Sequence, residues 1–417
     1  MLVYVLSKNG KPLMPCKPAK ARKLLKAGKA TVVKRTPFTI QLNWETEEQV
    51  QNVVLGVDTG YKNVGLSAMT EKEELFSSEV KLRTDIPKLL SEKRQYRRTR
   101  RNRLWYRPAR FLNRGNKKDG WLAPSVEHKF NEHIKAVNLV KSILPVSSIT
   151  VESAAFDIQK IKNPDISGTE YQNGEQAGFW NVREYVLYRD GHKCQHCGGK
   201  SKDKILNVHH VISRTDGGTN KPDNLITLCE KCHKDYHAGK IELNIKKSKG
   251  FKAETIMSIL RWKIVDRLME LGNVVNVTYG YLTKSNRIDL KLNKSHINDA
   301  FVIAGGNGWE KLNYFYFVKF VRRCNRSLFK ANMLKGGKRK VNTIKEAFGF
   351  KRWDKVLYNG IECFIYGLRS SGCFDIRLLT GEKIGASVKY TNLRLIESFK
   401  TWRIALIPAL TDGVSEL

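Results

Sequence analysis

Cys194-Gln195-His196-Cys197 and Cys229-Glu230-Lys231-Cys232 make two C-x-x-C pairs about thirty residues apart. Four thiolates form a closed tetrahedral zinc site, and with no position left for water such a site is structural. In so short a segment the metal substitutes for a hydrophobic core. His209, His210, Asn224, His233 and His237 are interspersed with these pairs or follow them. The apolar run Ile205 to Val208 reads as a strand leading into His209-His210, and His233 and His237 stand four apart on a helix that opens at the second pair. A hairpin and helix can gather His209, His233 and His237 around one divalent ion and leave His210 facing elsewhere. A neutral imidazole so placed suits proton abstraction from water near pH 7. The alternative for any one of these histidines is a place beside the zinc ligands or among them.

A second set of candidates is spread along the chain. Asp58 ends the apolar run Val53 to Val57, Glu152 follows the short strand Ile149 to Val151, and Asp299 sits in Lys294-Ser295-His296-Ile297-Asn298-Asp299-Ala300, a helix start. Phosphodiester cleavage by two metal ions needs hard oxygen ligands converging on magnesium ions ~4 Å apart. His296 and Asp299, three apart, share one helical face and can place a proton-transfer group beside a ligand. Singly, an aspartate after a strand is more often a turn or cap residue. The order carries the weight: strand, Asp, turn, two strands, helix, strand, Glu, helix, strand, then a helix with His-x-x-Asp.

The elements that would hold these residues are legible from periodicity. Residues 1 to about 52 alternate Val3 to Leu6, Thr31 to Val33 and Phe38 to Leu42 with turns, around a basic helix at Ala19 to Ala27. Val64 to Met69 and Leu75 to Leu82 continue the strand pattern. Val126, Phe130, Ile134, Val137, Val140 and Leu144 keep a helical period after Pro124, with Ser125 as expected cap; Ile256 to Leu271 repeat that period, and Val274 to Val277 is a further strand. Beyond about 311, short strands punctuated by Asn359-Gly360, Ser371-Gly372 and Thr380-Gly381 suggest a small β-barrel.

Charge narrows the partner. With 75 Lys+Arg against 40 Asp+Glu, the formal net charge is +35, which points to a polyanion bound through counterion release. Between Lys93 and Arg114 there are ten basic residues and no acid, interleaved with Tyr96, Trp105, Tyr106 and Phe111. Like charges this dense repel along a helix, and a nucleic-acid backbone would relieve them; Arg94, Arg97, Arg98, Arg100, Arg101, Arg103, Arg107 and Arg110 are the expected contacts. No apolar run approaches the ~18 residues of a membrane span, so no membrane partner is expected. The opening MLVYVLSKNGKPLMP is too short in apolar length for a secretion signal, and a cytoplasmic location in a prokaryotic cell is expected. Cys16, Cys324, Cys363 and Cys373 read as ordinary thiols.

The motif around Asp58, together with Glu152 and the His296-x-x-Asp299-Ala300 segment, resembles the RuvC nucleases, with Thr59 where proline is more frequent. The histidine segment resembles the HNH family, which implies His210 as general base, Asn224 as a brace for the loop, and His209 and His233 within the catalytic set. A RuvC domain interrupted by HNH after an arginine-rich segment resembles type II CRISPR effectors in miniature. Lys11-Pro12-Leu13-Met14-Pro15 is similar to the PLMP module of the IscB family, transposon-encoded nucleases guided by an ωRNA; Arg322-Arg323, Lys335 to Arg339 and Asp354-Lys355-Val356 are similar to its terminal region. The resemblance implies an α/β multidomain protein with an RNase H-like (RuvC) fold, an inserted ββα-metal HNH domain, a PLMP module and a C-terminal β-barrel-like domain. Its parts would be a PLMP module at 1–52, RuvC at 53–92, 115–160 and 251–310, an arginine-rich bridge helix at 93–114, HNH with linkers at 161–250, and a terminal domain at 311–417 contacting RNA and a target-adjacent motif. It further implies a monomeric protein in a ribonucleoprotein with guide ωRNA, cutting double-stranded target DNA. HNH would cut the guide-paired strand and RuvC the displaced one. Asp58, Glu152 and Asp299 would hold RuvC magnesium, with His296 beside them, and His209, His233 and His237 HNH magnesium. Two alternatives stay open: a protein-only metal-dependent DNA endonuclease, and an RNA-guided binder that does not cleave.

Overall fold

Alternating apolar residues close the first 42 positions into a small sheet. Strands β1 (Val3–Leu6), β2 (Pro12–Cys16), β3 (Ala30–Lys34) and β4 (Thr39–Leu42) pair in the order β2-β1-β4-β3. Helix α1 (Pro18–Lys26) starts on a proline, whose fixed φ suits the first helical turn, and turns Ala21 into the core with Val3, Val5 and Ile40. The computed structural model describes residues 1–102, 120–153, 179–214, 218, 220–243, 252–307, 311–321, 344–398 and 402–409. These form two compact units, one of Met1–Ala155 with Ile256–Leu417, the other of Phe156–Thr255.

In the first unit β5 (Val54–Asp58), β6 (Asn63–Met69) and β7 (Glu74–Lys81) lead to helices α2 (Ile86–Asn102) and α3 (Pro124–Lys141) and strand β8 (Ser148–Glu152). The second unit contributes α4 (Val182–Arg189), β9 (Leu206–His210), β10 (Leu225–Cys229) and α5 (Glu230–His237). After it come α6 (Lys252–Glu270), β11 (Val274–Thr278), α7 (Gly280–Asp289), α8 (His296–Ile303) and β12 (Tyr314–Phe320). The chain ends its described part in β13 (Glu346–Ala347), β14 (Phe350–Lys351), β15 (Lys355–Tyr358), β16 (Ile361–Gly367), β17 (Cys373–Arg377), β18 (Lys383–Lys389), β19 (Arg394–Glu397) and β20 (Trp402–Pro408).

The central sheet has seven strands in the order β11-β8-β5-β6-β7-β12-β20. β5, β8 and β11 run parallel, β6 is antiparallel to both its neighbours, and β7 and β12 are again parallel. Side chains alternate across a strand. Leu55, Val57, Ile149 and Val151 therefore enter one core with Val137, Val140 and Leu144 near α3 and Leu260, Ile264 and Leu268 of α6. Gly56, Asp58 and Glu152 fall on the other face, against α8. That helix lies so close that a Cβ on Gly56 would stand 2.2 Å from the Ala300 carbonyl oxygen, and one on Gly65 1.9 Å from that of His296. Both glycines are there for approach, not for turning.

Several expectations are corrected. Helix α3 is capped by Ala123, not Ser125, because Pro124 takes the first helical position. β9 contains His209 and His210 instead of stopping before them, since both pair with β10 (His209 with Ile226, His210 with Leu225). The basic segment expected from Lys93 is part of a helix that already begins at Ile86, and residues 103–114, with Arg103, Arg107 and Arg110, lie outside the described residues. So do Arg322-Arg323, Cys324 and Lys335 to Arg339. The expected C-terminal barrel is a five-stranded antiparallel sheet, β18-β17-β16-β15-β19, with no pairing between its end strands among the described residues. Its core is Val356, Cys363, Ile365, Phe374 and Ile376. Nor is 311–417 one separate body: β12 and β20 pair along seven positions, Tyr314 with Pro408 through Phe320 with Trp402, and extend the central sheet. Cys16 and Cys373 are half-buried, and Cys363 is buried.

Candidate functional sites

Four thiols meet in the second unit. The Sγ atoms of Cys194, Cys197, Cys229 and Cys232 all lie within 4.8 Å of one another. Cys229 caps α5, with its sulfur accepting from the Cys232 N–H at 3.5 Å, and the Ser201 hydroxyl donates to that same sulfur at 3.1 Å. Hydrogen bonding to Ser201 pulls Cys197 down to about 5, whereas burial and the other three sulfurs push Cys232 up. Four sulfurs gathered this closely are the donor set that a divalent zinc-like cation takes. His196, whose Nδ1 is 3.5 Å from the Cys232 sulfur, is a neighbour that spacing did not single out.

The histidines form a distinct cluster in the same unit. β9 presents His209, and one turn of α5 presents His233 and His237, so that a ring nitrogen of each falls within 4.8 Å of the others. The His233 and His237 Nε2 atoms are 3.3 Å apart. His209 is 7% exposed, and its Nε2 is buried without a hydrogen-bond partner among the described residues. A buried nitrogen left bare costs free energy unless something binds it. Burial, then the neighbouring His233 and His237, lower His209 to about 4, and burial and His237 also lower His233. Both rings are therefore held toward the neutral form that ligates metal. Tyr236 packs edge-on to His209 at 4.7 Å between centroids, a supporting contact missed in the sequence.

His210, one residue on, is outside this trio. Its Nε2 lies 3.0 Å from Oδ1 of Asn220, which also accepts from Arg214 at 3.1 Å. Asn224 is where a loop brace belongs: Oδ1 accepts from the Ile212 N–H at 2.9 Å and Nδ2 donates to the Ile212 carbonyl at 3.0 Å. Its own carbonyl accepts from Val211 at 2.8 Å.

In the first unit, the parallel pairing of β5 and β8 through Val57 and Val151 puts Asp58 and Glu152 at adjacent strand ends. Thr59, in place of a proline, ties the two together by donating its hydroxyl to the Glu152 carbonyl at 2.8 Å. Ser295 caps α8 by accepting from Asn298 N–H at 3.1 Å, and the first turn delivers His296 Nδ1 to within 2.6 Å of Asp58 Oδ2. That bond raises the His296 imidazole above its ordinary range. Glu152 is raised by burial and by the charges of Asp58 and Asp299, and Asp299 by burial and Asp58. Arg287 of α7, unpredicted from the sequence, forms an ion pair with Asp299 at 2.8 Å. The three carboxylates do not form a third cluster within 4.8 Å among the described residues. Glu152 and Asp299 both lie within the field of Asp58, and hard oxygen donors so placed suit a divalent ion.

Arg94, Arg97 and Arg98 are exposed on α2; Arg100 and Arg101 belong to the same helix. Arg97 to Arg101 reads Arg-Arg-Thr-Arg-Arg. The family model described as "RRXRR protein" matches residues 3–174, and "HNH endonuclease" matches 194–239. The first occurs in IscB- and Cas9-like proteins, and here it precedes HNH in one chain. The chain belongs to the IscB-like proteins. Residues 194–239 are an HNH endonuclease domain. Among curated relatives, the IscB-like chain is 32% identical over 65 residues to "Type IV methyl-directed restriction enzyme EcoKMcrA" of Escherichia coli, covering 14% of this chain and 24% of that protein. It is 39% identical over 64 residues to "Anaredoxin" of Nostoc sp., covering 15% of this chain and 82% of that small protein, so this stretch is of one family with it. Structures of Streptococcus thermophilus Cas9 in complex with the AGAA and AGGA PAM overlap 44% of the IscB-like chain at 14% identity, with TM-scores of 0.27 and 0.28. The chain spans 26% of those Cas9 chains and about a quarter of the restriction enzyme. No described helix is long and apolar enough to cross a membrane.

Proposed function

We propose that this IscB-like chain is an ωRNA-guided endonuclease for double-stranded DNA, with HNH cutting the guide-paired strand and a RuvC-type site cutting the displaced strand. The observation that carries the reading is the presence, in two separate compact units of one strongly basic chain, of two unrelated sets of groups suited to phosphodiester hydrolysis. The five strands β11-β8-β5-β6-β7 support an RNase H-type assignment of the first unit: in order of appearance they lie 5-4-1-2-3, with the second strand antiparallel. The module boundaries read from the sequence up to residue 310 belong to the same proposal; beyond it the five-stranded sheet is the terminal module, while β12 and β20 extend the central sheet.

His209, His233 and His237 would hold one divalent ion, Asp58, Glu152 and Asp299 magnesium, and Cys194, Cys197, Cys229 and Cys232 structural zinc. Bound at the two hydrolytic sites, such ions polarise phosphoryl oxygens and neutralise charge developing on the scissile phosphate. His210 takes the proton of the attacking water, and Asn220 orients its ring. Asn224 fixes the loop after β9, which keeps His210 aimed. In the other site His296 is held by Asp58, and Arg287 keeps Asp299 oriented. Arginines on α2 bind the guide backbone, and base pairing selects the target.

The test is to purify the chain, sequence any RNA that copurifies, and replace the guide portion. Cutting is expected to follow the new guide. A second reading, a protein-only restriction-type nuclease, draws on the likeness to the Escherichia coli restriction enzyme; cutting that ignores the guide and persists without RNA would establish it.

A further inference from the structure

The same edge and face of the central sheet that carry Asp58 continue past it. β5, β7 and β12 point the same way, so their C-terminal ends share one edge. Register fixes the face: Asp58 pairs with Gly65, Gly65 with Glu79, and two residues on, Lys81 pairs with Lys319. By the alternation of side chains, Lys81 and Lys319 project on the Asp58 side of the sheet. They open into a cleft of about 400 Å³ that is also lined by Arg83, Asp85, Arg352, Trp353 and Tyr366.

The chemistry of this cleft is unusual for a surface that only meets water. Four cations face one acid, and Asp85 is engaged by Arg83 through two bonds of 2.9 Å. Lys319 is half-buried, and burial and Lys81 make its charge harder to keep. The Arg352 guanidinium lies 5.6 Å from the Trp353 ring centre and 5.1 Å from that of Tyr366, with the rings edge-on to each other at 5.3 Å. Trp353 also holds a left-handed backbone, φ 74°, pinned by its N–H donating to the Ile365 carbonyl at 2.7 Å. A bulky residue rarely adopts that conformation, and strain of this kind is kept where a side chain must stand in one place.

We propose that this cleft is a strand subsite, taking one unpaired nucleotide of the DNA strand that the Asp58 site cuts, its phosphate on Lys81, Lys319 and Arg352 and its base against Trp353 and Tyr366. Neighbouring strands are ~4.8 Å apart, so β7 and β12 lie ~10 and ~15 Å from β5. That is a few nucleotides along an extended single strand. Cation-lined grooves with aromatic platforms are the common solution for single strands. The inference rests on the guided-cleavage reading only for which strand arrives.

Two measurements on the full chain test it, with Trp353→Gly, which removes the ring and relieves the backbone, and Arg352→Gln. Affinity for a short fluorescent single-stranded DNA should fall about tenfold, the factor one base stack supplies, with the melting temperature held in Arg352→Gln and lowered in Trp353→Gly, whose ring also packs against Phe317, Phe364 and Leu379. Charged with guide RNA, the variants should lose displaced-strand cutting by a similar factor and keep guide-paired-strand cutting. Unchanged DNA affinity, or a fall in RNA retention in place of DNA affinity, overturns the inference. A wild-type chain that binds the single strand but never cuts under guidance counts against the functional reading, not against the cleft.

Discussion

Cys229 is both a thiolate and the cap of the helix that carries His233 and His237, so the metal cluster and the histidine cluster share one support. A four-thiolate zinc site contributes on the order of 10 kcal/mol of folding free energy, comparable with the whole stability of a small domain, about 5–15 kcal/mol. Cys229→Ala is therefore expected to abolish zinc content and melt the Phe156–Thr255 unit, leaving the unfolding of the sheet unit in place; elemental analysis and calorimetry check both. At this scale the sequence was most legible where chemistry is local. C-x-x-C spacing and the four-residue step from His233 to His237 read directly as clusters. The contacts that were missed, Arg287 to Asp299 and Asn220 to His210, are of another kind: one crosses between two helices and the other spans a loop, and no periodicity marks either.

At the scale of elements, α8 against β5 and β6 positions the carboxylate site. Gly65 allows it, since any Cβ there would stand 1.9 Å from the backbone carbonyl of His296. Gly65→Ala must push the helix away. Overpacking of this kind costs ~1–3 kcal/mol or more, and the shift parts His296 from Asp58. The expected outcome is a lower melting temperature and loss of the cut assigned to this site, with the HNH cut retained. Strands and helices were legible because their apolar periods are intact, as in β5, β6 and α6. Ends were less so: Pro124 moved a cap by two residues, and β10 drew His209 and His210 into its partner strand. The largest departure, β12 and β20 joining the central sheet, depends on pairing between residues some ninety positions apart, such as Tyr314 and Pro408. Local pattern does not specify such a partner.

For the molecule as a whole, a charge of +35 is distributed over a chain that keeps its two candidate hydrolytic centres in separate units. Separate units imply separable cuts. The direct measurement is cleavage of a duplex labelled on both strands, with guide RNA bound, by Asp58→Ala and His210→Ala. Asp58→Ala should nick only the guide-paired strand, and His210→Ala only the displaced one. If either single substitution abolishes both cuts, or leaves both at the wild-type rate, the two-centre account is wrong.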